Sequence, residues 1–393
     1  MGYLENILPK YLARLGLDVH VVTMGLPPYY MQNPQETYRG FADDTGLRPG
    51  MIEVHQGFTV HTIGHRRLLG YLQAAGLTKK LRAIRPDIVQ TTAAVGWLPL
   101  QAAWGKMLLG YKLFTGNHYH ASVFPLAGRK VSLLEILSCR MKRSLPGWLV
   151  ALCTEKCYAI APDCADIAVR FFGVPRGKID ICSLGVDTDL FRPASEEADV
   201  IARRELRHRL GFSEPEIVCV YSGRFTDDKN PLVLAAAIED LKHKGEPFRG
   251  LFVGNGPQAE AIRACSGCVT HPFVPVHELG SLFRASDIGV WPTQESTSML
   301  DAAACGLPIV ANHKMSAPER LEGNGFTYKL NDRNDLVNVL LSLREPEQRL
   351  RLGSYGAGKM ARYFSWESIA ARRICDYETA LGTKEDLPKE VAF

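Results

Sequence analysis

Ile217-Val218-Cys219-Val220-Tyr221-Ser222-Gly223-Arg224-Phe225-Thr226-Asp227-Asp228-Lys229-Asn230-Pro231 decides the fold. Ile217–Tyr221 is an unbroken apolar run of the length of a strand buried on both faces. Gly223 then lets the backbone turn tightly. Asn230 suits the cap of a following helix, and Pro231 suits its first turn. The stretch therefore predicts strand, short loop and helix in immediate succession. Arg224 and Lys229 flank the loop, so two cations stand beside a helix amino terminus. Backbone N–H groups, the helix dipole and fixed positive charge together suit a diphosphate. Surface ion pairing with Asp227 and Asp228 is the plainer alternative.

The same alternation runs outward in both directions. Towards the carboxyl end, Gly250–Val253, Val269–Val274, Ile288–Trp291 and Ile309–Ala311 predict further short strands. Towards the amino end, Asp18–Thr23, Gly57–Ile63, Asp87–Val89, Lys112–Thr115, Cys157–Ala161 and Lys178–Ser183 do the same. Tyr3–Leu12, Leu68–Ala83 and Val131–Leu145 predict helices. Short strands alternating with helices imply parallel sheets covered on both faces. The expected class is α/β, with two Rossmann-like, doubly wound parallel-sheet domains facing a cleft. The texture changes near residue 190, where a charged stretch, Ser195–Arg209, precedes Ile217. This divides the chain into domains 1–190 and 191–393. A doubly wound domain normally opens on a strand. This sequence opens on helix Tyr3–Leu12, so a first strand of about ten residues is expected to be missing ahead of it.

The chain has 393 residues with a formal net charge of +4. Its basic residues alternate with acidic ones, which gives no case for nucleic acid. The ten cysteines are scattered, and several lie in apolar runs, as reduced thiols in a cytoplasmic protein would. Cys265-x-x-Cys268 has no second pair at zinc spacing, so no metal is expected. The uncharged block Trp148–Cys153 is far shorter than the ~20 residues of a span, and no signal peptide is expected ahead of the first helix. Val131–Leu145, with Arg140, Lys142 and Arg143, could be either a core helix with a charged edge or a segment lying on a membrane surface.

A second chemical stretch follows the strand ending at Trp291: Pro292-Thr293-Gln294-Glu295-Ser296-Thr297-Ser298-Met299-Leu300-Asp301-Ala302-Ala303-Ala304-Cys305-Gly306-Leu307-Pro308. Glu295 falls in the turn and Asp301 one turn inside the next helix, where carboxylates can accept hydrogen bonds from sugar and ribose hydroxyls. Ser296, Thr297 and Ser298 and the free helix N–H groups around them can hold phosphate. Ser298-x-x-Asp301 is also a capping-box pattern that needs no ligand. Both readings of Asp301 stand at this point.

These stretches resemble the large family of retaining glycosyltransferases with the GT-B fold, most closely family 4. Gly223-Arg224…Lys229 is similar to its phosphate-binding element, and Val253-Gly254-Asn255-Gly256-Pro257 to its Gly-x-Gly-Pro turn. Gly185-Val186-Asp187…Phe191-Arg192-Pro193 is similar to its domain-junction signature, and Leu300–Pro308 to its acidic-helix signature. The resemblance implies that a nucleotide-diphosphate sugar gives its sugar, with retention and no obligatory metal or other cofactor, to a glycan or lipid-linked acceptor. Cell-surface polysaccharide or glycoconjugate synthesis in the cytoplasm is the implied setting, with peripheral contact at the inner membrane face through the amino-terminal domain. That domain would bind the acceptor, the carboxyl-terminal one the donor, and the last helix, about 367–381, would pack back on the first domain. The catalytic set implied is His118, Arg224, Lys229 and Glu295, with His120 as the alternative histidine. Donor contacts are expected from Gly2, Gly223, Val274, Ser296, Thr297, Ser298 and Asp301 as well.

This sequence departs from the pattern at the acids. Family members carry two glutamates separated by seven residues, whereas eight before Asp301 stands Thr293, and Glu295 is two residues nearer. Two rival classes follow from single features. Gly254-x-Gly256-x-x-Ala259 after a strand imitates a dinucleotide fingerprint, but Val274-Pro275 stands where an oxidoreductase would need its acid. The altered acidic loop fits a non-catalytic sugar-nucleotide-binding scaffold.

Overall fold

The computed structural model describes residues 3–24, 48–68, 71–120, 124, 132–293, 296–315 and 317–383. The described residues before Gly185, together with those from Ile369 onward, form one unit, and Gly185–Ser368 form the other.

The second unit is built around β10 (Ile217–Ser222), all six of whose residues are buried. The chain continues through α8 (Leu232–His243), β11 (Phe248–Val253), α9 (Ala259–Ala264), β12 (Cys268–His271) and α10 (Val276–Arg284). It proceeds through β13 (Ile288–Trp291), α11 (Thr297–Ala304), β14 (Ile309–Asn312), β15 (Gly325–Tyr328), α12 (Arg333–Ser342) and α13 (Pro346–Tyr363). The strands form one six-stranded sheet in the order β12-β11-β10-β13-β14-β15, every neighbouring pair parallel. The chain winds one way from β10 to β12 and the other way from β13 to β15. The carboxyl ends of β10 and β13 therefore adjoin at the switch point, where ligands bind in open α/β sheets.

The charged stretch read as a boundary segment is itself a helix, α7 (Glu197–Arg209). Arg203 and Arg207 on it clamp Asp287, at 2.6 and 2.9 Å, and Asp287 also accepts from the Val218 N–H. Arg207 is buried, and its burial is tolerable because four acceptors surround it: Ala285 O, Ser213 O, Glu216 O and Asp287. The junction signature is fastened within the same unit, since the Val186 N–H donates to Phe364 O and the Trp366 N–H to Val186 O.

The first unit contains α1 (Tyr3–Arg14), β1 (His20–Thr23), β2 (Ile52–His55), β3 (Phe58–Thr62), β4 (His65–Leu68), β5 (Tyr71–Ala74), α2 (Leu77–Ile84) and β6 (Ile88–Gln90). There follow α3 (Trp97–Leu109), β7 (Lys112–Asn117), α4 (Leu133–Cys139), a π-helical turn (Arg140–Ser144), α5 (Leu145–Cys153), β8 (Thr154–Ala159), α6 (Pro162–Phe172) and β9 (Ile179–Ile181). β6-β7-β8-β9 make a four-stranded parallel sheet, and β1, β3 and β2 make a separate one in which β1 and β3 run parallel.

The helix expected over Leu68–Ala83 is not there. Its first part belongs to the antiparallel hairpin β4–β5, and only Leu77–Ile84 is helical. Gly76, at φ +77°, stops the run before the helix starts, and the Gln101 side chain holds both backbone groups of Ala74 in the extended form. These long-range bonds override a helical spacing of apolar residues.

The last helix, α14 (Trp366–Leu381), contributes its residues from Ile369 to the first unit. Asp376 accepts from Lys156 at 2.6 Å and from Tyr158 Oη at 2.7 Å, while Arg373 lies 3.2 Å from the centre of the Tyr158 ring. Gln90 accepts from both Arg373 and Tyr377.

Candidate functional site

Two turns at the carboxyl ends of β10 and β11 are locked together by backbone. The Gly223 N–H donates to Val253 O at 3.0 Å, the Phe225 N–H to Asn255 O at 2.9 Å, and the Gln258 N–H to Phe225 O at 3.0 Å. The approach is so close that a Cβ on Gly254 would lie 1.8 Å from Gly223 O, and one on Gly256 2.6 Å from Phe225 O. Gly254 also sits at φ +153°, a conformation that side chains resist. These glycines are used by the protein's own neighbouring turn, which accounts for the fingerprint-like spacing without a dinucleotide.

The locked turns hold Arg224 and Lys229. The Tyr221 hydroxyl donates to Arg224 O at 2.9 Å, fixing the backbone there. The Arg224 guanidinium is about half exposed and pairs with Asp228 at 3.3 Å. So exposed a pair contributes little to stability and yields readily to a more highly charged partner. Burial holds Lys229 below the usual lysine range. Thr226 O accepts the N–H groups of Lys229 and Asn230, closing the loop.

Asn230 does not cap α8. It stands at φ +43° with its side chain on Asn331, and Pro231 occupies the cap position with no side-chain bond. Gln258 and Tyr221 brace the loop, Gln258 by donating to Asp227 at 2.8 Å. Sequence reasoning did not single out either residue, and no local motif marks them.

The turn after β13 meets the first through one carbonyl. Ser222 O accepts from Trp291 Nε1 at 3.3 Å and from Ser298 Oγ at 3.4 Å, and Ser298 Oγ lies 3.0 Å from Ser296 Oγ. The loop is held from behind, where Tyr328 Oη donates to Pro292 O and Asn312 Nδ2 to Thr293 O. The structure thus brings Gly223, Arg224, Lys229, Ser296 and Ser298 to adjoining strand ends in one unit. Thr297 opens α11 beside them. Glu295 and Gly2 lie outside the described residues.

Asp301 resolves differently from either sequence alternative. The cap of α11 is Ser296, and no side-chain capping bond forms. Asp301 is 1% exposed, and neither carboxylate oxygen has a hydrogen-bond partner. Burial, with Asp187 nearby, pushes its carboxyl well above the usual range. It is neither a capping-box acid nor an open carboxylate. Val274 lies in the loop after β12, beyond the strand expected to include it, and its partly buried side chain packs against the core.

In the first unit, β7 runs to Asn117, which is buried and donates to Cys164 O at 2.7 Å. His118 follows at once and is half-buried. Burial first, then Arg373 and His120, bring its pKa down to about 4, so the ring is neutral at physiological pH. The alternative, His120, is instead paired through Nδ1 with Asp163 at 3.1 Å. His120, Asp163 and Cys164 bring three potential metal-ligand atoms within 4.8 Å of one another. Two of the three, His120 and Asp163, pair directly with each other.

The chain matches two family profiles, Glycosyltransferase Family 4 over residues 8–190 and Glycosyl transferases group 1 over residues 216–345. Solved structures share the fold. The catalytic domain of starch synthase IV from Arabidopsis thaliana, bound to ADP and acarbose, superposes with a TM-score of 0.64 at 17% identity, covering 97% of this chain and 96% of that one. Anabaena HepE in complex with UDP-glucose superposes at 0.60 and 16% identity, covering 84% and 87%. Fold and profiles together are those of the GT-B class of the glycosyltransferase family.

The chain belongs to the glycosyltransferase group that those two profiles describe. Among curated proteins it is 29% identical over 243 residues to the D-inositol 3-phosphate glycosyltransferase of Xylanimonas cellulosilytica, covering 55% of each chain. The chain spans about half the length of the curated relatives it matches.

Proposed function

We propose that the protein transfers a hexosyl group from a nucleotide-diphosphate sugar to a glycan or lipid-linked acceptor, with retention of configuration and without an obligatory metal. The observation that carries this is the pair of interlocked glycine turns presenting Arg224 and Lys229 beside the start of α8. As the diphosphate departs, negative charge develops on its terminal oxygens. Cations held by rigid backbone stabilise that charge without reorganising. Neighbouring structures captured with UDP-glucose and with ADP support a nucleoside diphosphate as the leaving group. Ser296, Thr297 and Ser298 are assigned to phosphate or sugar contacts, Glu295 to the sugar, and His118, as a neutral ring, to hydrogen bonding at the reacting sugar. The first unit is assigned to the acceptor and the second to the donor. Cell-surface glycoconjugate synthesis, in the cytoplasm and with peripheral contact to the inner membrane face, is the setting we favour.

Thermal unfolding against UDP, GDP, ADP, CMP and NAD, with and without magnesium, tests the donor site. One nucleoside diphosphate at a hundred times its Kd should stabilise the fold by about 2.7 kcal/mol, independently of magnesium. No shift with any diphosphate, in a protein that melts cooperatively, would favour a non-catalytic scaffold. The anomeric configuration of the product, read by NMR, tests retention.

A further inference from the structure

The helical segment 133–153 carries an apolar face that lies exposed. α4, the π turn and α5 follow one another without a break, over roughly 30 Å. Leu134, Leu137, Met141, Leu145, Trp148 and Leu152 recur at intervals of three and four, and all six are exposed, from 79% at Leu134 to 46% at Trp148. The opposite face is fixed to the body of the unit. Gly147 approaches so closely that a Cβ there would lie 2.1 Å from Phe172 O, and Ser144 Oγ donates to Phe171 O. The exposed stripe is therefore a lasting feature of the surface. A solvated helix normally turns such residues inward, and a patch of this kind marks an interaction site.

Charge identifies the occupant. Arg140 and Lys142 are exposed and, among the described residues, enter no ion pair, while Arg143 lies over the Phe124 ring. The sole acid between Leu133 and Cys153 is Glu135, which is tied to Ser132 in a capping box. A second copy packed on this face about a two-fold axis would bring like charges together with no acid to answer them. An anionic lipid surface answers both features, taking up the apolar side chains and attracting the cations. No helix among the described residues is long and apolar enough to cross a membrane.

We propose that the helical face 133–153 docks the protein in the plane of an anionic phospholipid surface, with Leu137, Met141 and Trp148 among the inserted side chains and Arg140 and Lys142 at the headgroups. This deepens the peripheral contact proposed above. The face is separate from the donor turns, so docking is measurable without donor, and its failure would leave the transferase assignment standing.

The full chain is sedimented with vesicles of phosphatidylcholine alone and of phosphatidylcholine with phosphatidylglycerol, while tryptophan emission is followed. The protein should sediment with the anionic vesicles only, less so in high salt, with a blue shift. Arg140→Gln with Lys142→Gln should weaken binding about 30-fold. Leu137→Ser with Trp148→Ser should abolish it while leaving nucleotide-induced stabilisation intact, which shows that the variant folds. The proposal is overturned if the protein stays in solution with both vesicles, or if both double variants bind like the parent. It is equally overturned if the face proves to be a dimer contact, dispersed by Leu137→Glu, in a protein that binds no vesicle.

Discussion

The turns after β10 and after β13 adjoin in one sheet, yet they expose opposite chemistry. The first holds Arg224 out, half exposed, with its partner Asp228 equally so. Beyond the second, Asp301 on α11 is buried and its oxygens are unpartnered. The first turn is rigid because two stretches of backbone touch, so its shape does not depend on burying its charged side chains. The second is rigid because α11 packs Met299, Leu300 and Ala302 into the core, and Asp301 goes in with them. A charged residue one helical turn from a ligand site can thus serve the ligand or the fold, and burial decides which.

The largest expected effect strikes the rigid pair itself. Gly254→Ala should cost more than about 3 kcal/mol of stability, because its Cβ meets Gly223 O at 1.8 Å and backbone must move. A denaturant midpoint close to the parent's would mean that the turns are looser than their contact implies.

Arg224→Ala and Lys229→Ala should each lower turnover by about 10²-fold with little change in unfolding midpoint. The converse result, normal turnover with lost stability, would make these cations structural and erase the contrast between the two turns.

Asp301→Asn sharpens the contrast by pH. The folded-state pKa of Asp301 is raised, so its favourable contribution is fully present below the unfolded value of 3.8 and declines as pH rises towards the folded value. The asparagine variant should therefore melt higher than the parent at pH 8, by a margin that shrinks towards pH 4. An unchanged or lower midpoint at pH 8, with weakened nucleotide binding, would place the carboxylate on the donor instead.

His118 tests whether burial acts in the same way on the first unit. Its pKa is lowered from 6.5 to about 4, so the unfolded chain takes up this proton first as pH falls. Its effect on stability should be absent above about 6.5 and should destabilise progressively down to about 4. His118→Gln should flatten that part of the stability–pH curve, and an NMR titration midpoint near 6.5 would refute the lowered value. The smallest effect belongs to Ser298→Ala, which removes the hydroxyl contacts to Ser222 O and Ser296 Oγ and should cost about 1 kcal/mol in thermal unfolding.

Much of the second unit was legible in the chain itself. The run Ile217–Tyr221 and the glycine after it announce strand and turn because a strand buried on both faces needs no partner to be recognised. Ile288–Trp291 was placed to the residue for the same reason. The first unit was less legible where its strands depend on each other. β4 and β5 were read as helix because their pairing and the Gln101 clamp lie outside any local window. The brace residues Tyr221 and Gln258 had no signal either, since each bonds to a loop whose path had first to be known.

By itself the sequence determined the alternation of strand and helix, and the glycines and cations that stand in the turns after β10 and β11. These are local properties: backbone freedom, apolar runs and the residue types at helix starts. Tertiary structure decided the rest. It set which glycines serve close packing, that Asp301 is enclosed and uncapped, that His120 is engaged by Asp163, and that helix 133–153 turns six large apolar side chains outward. Burial and partnership depend on residues distant in the chain, and the free energy of a charge is set by what surrounds it, not by its neighbours in sequence.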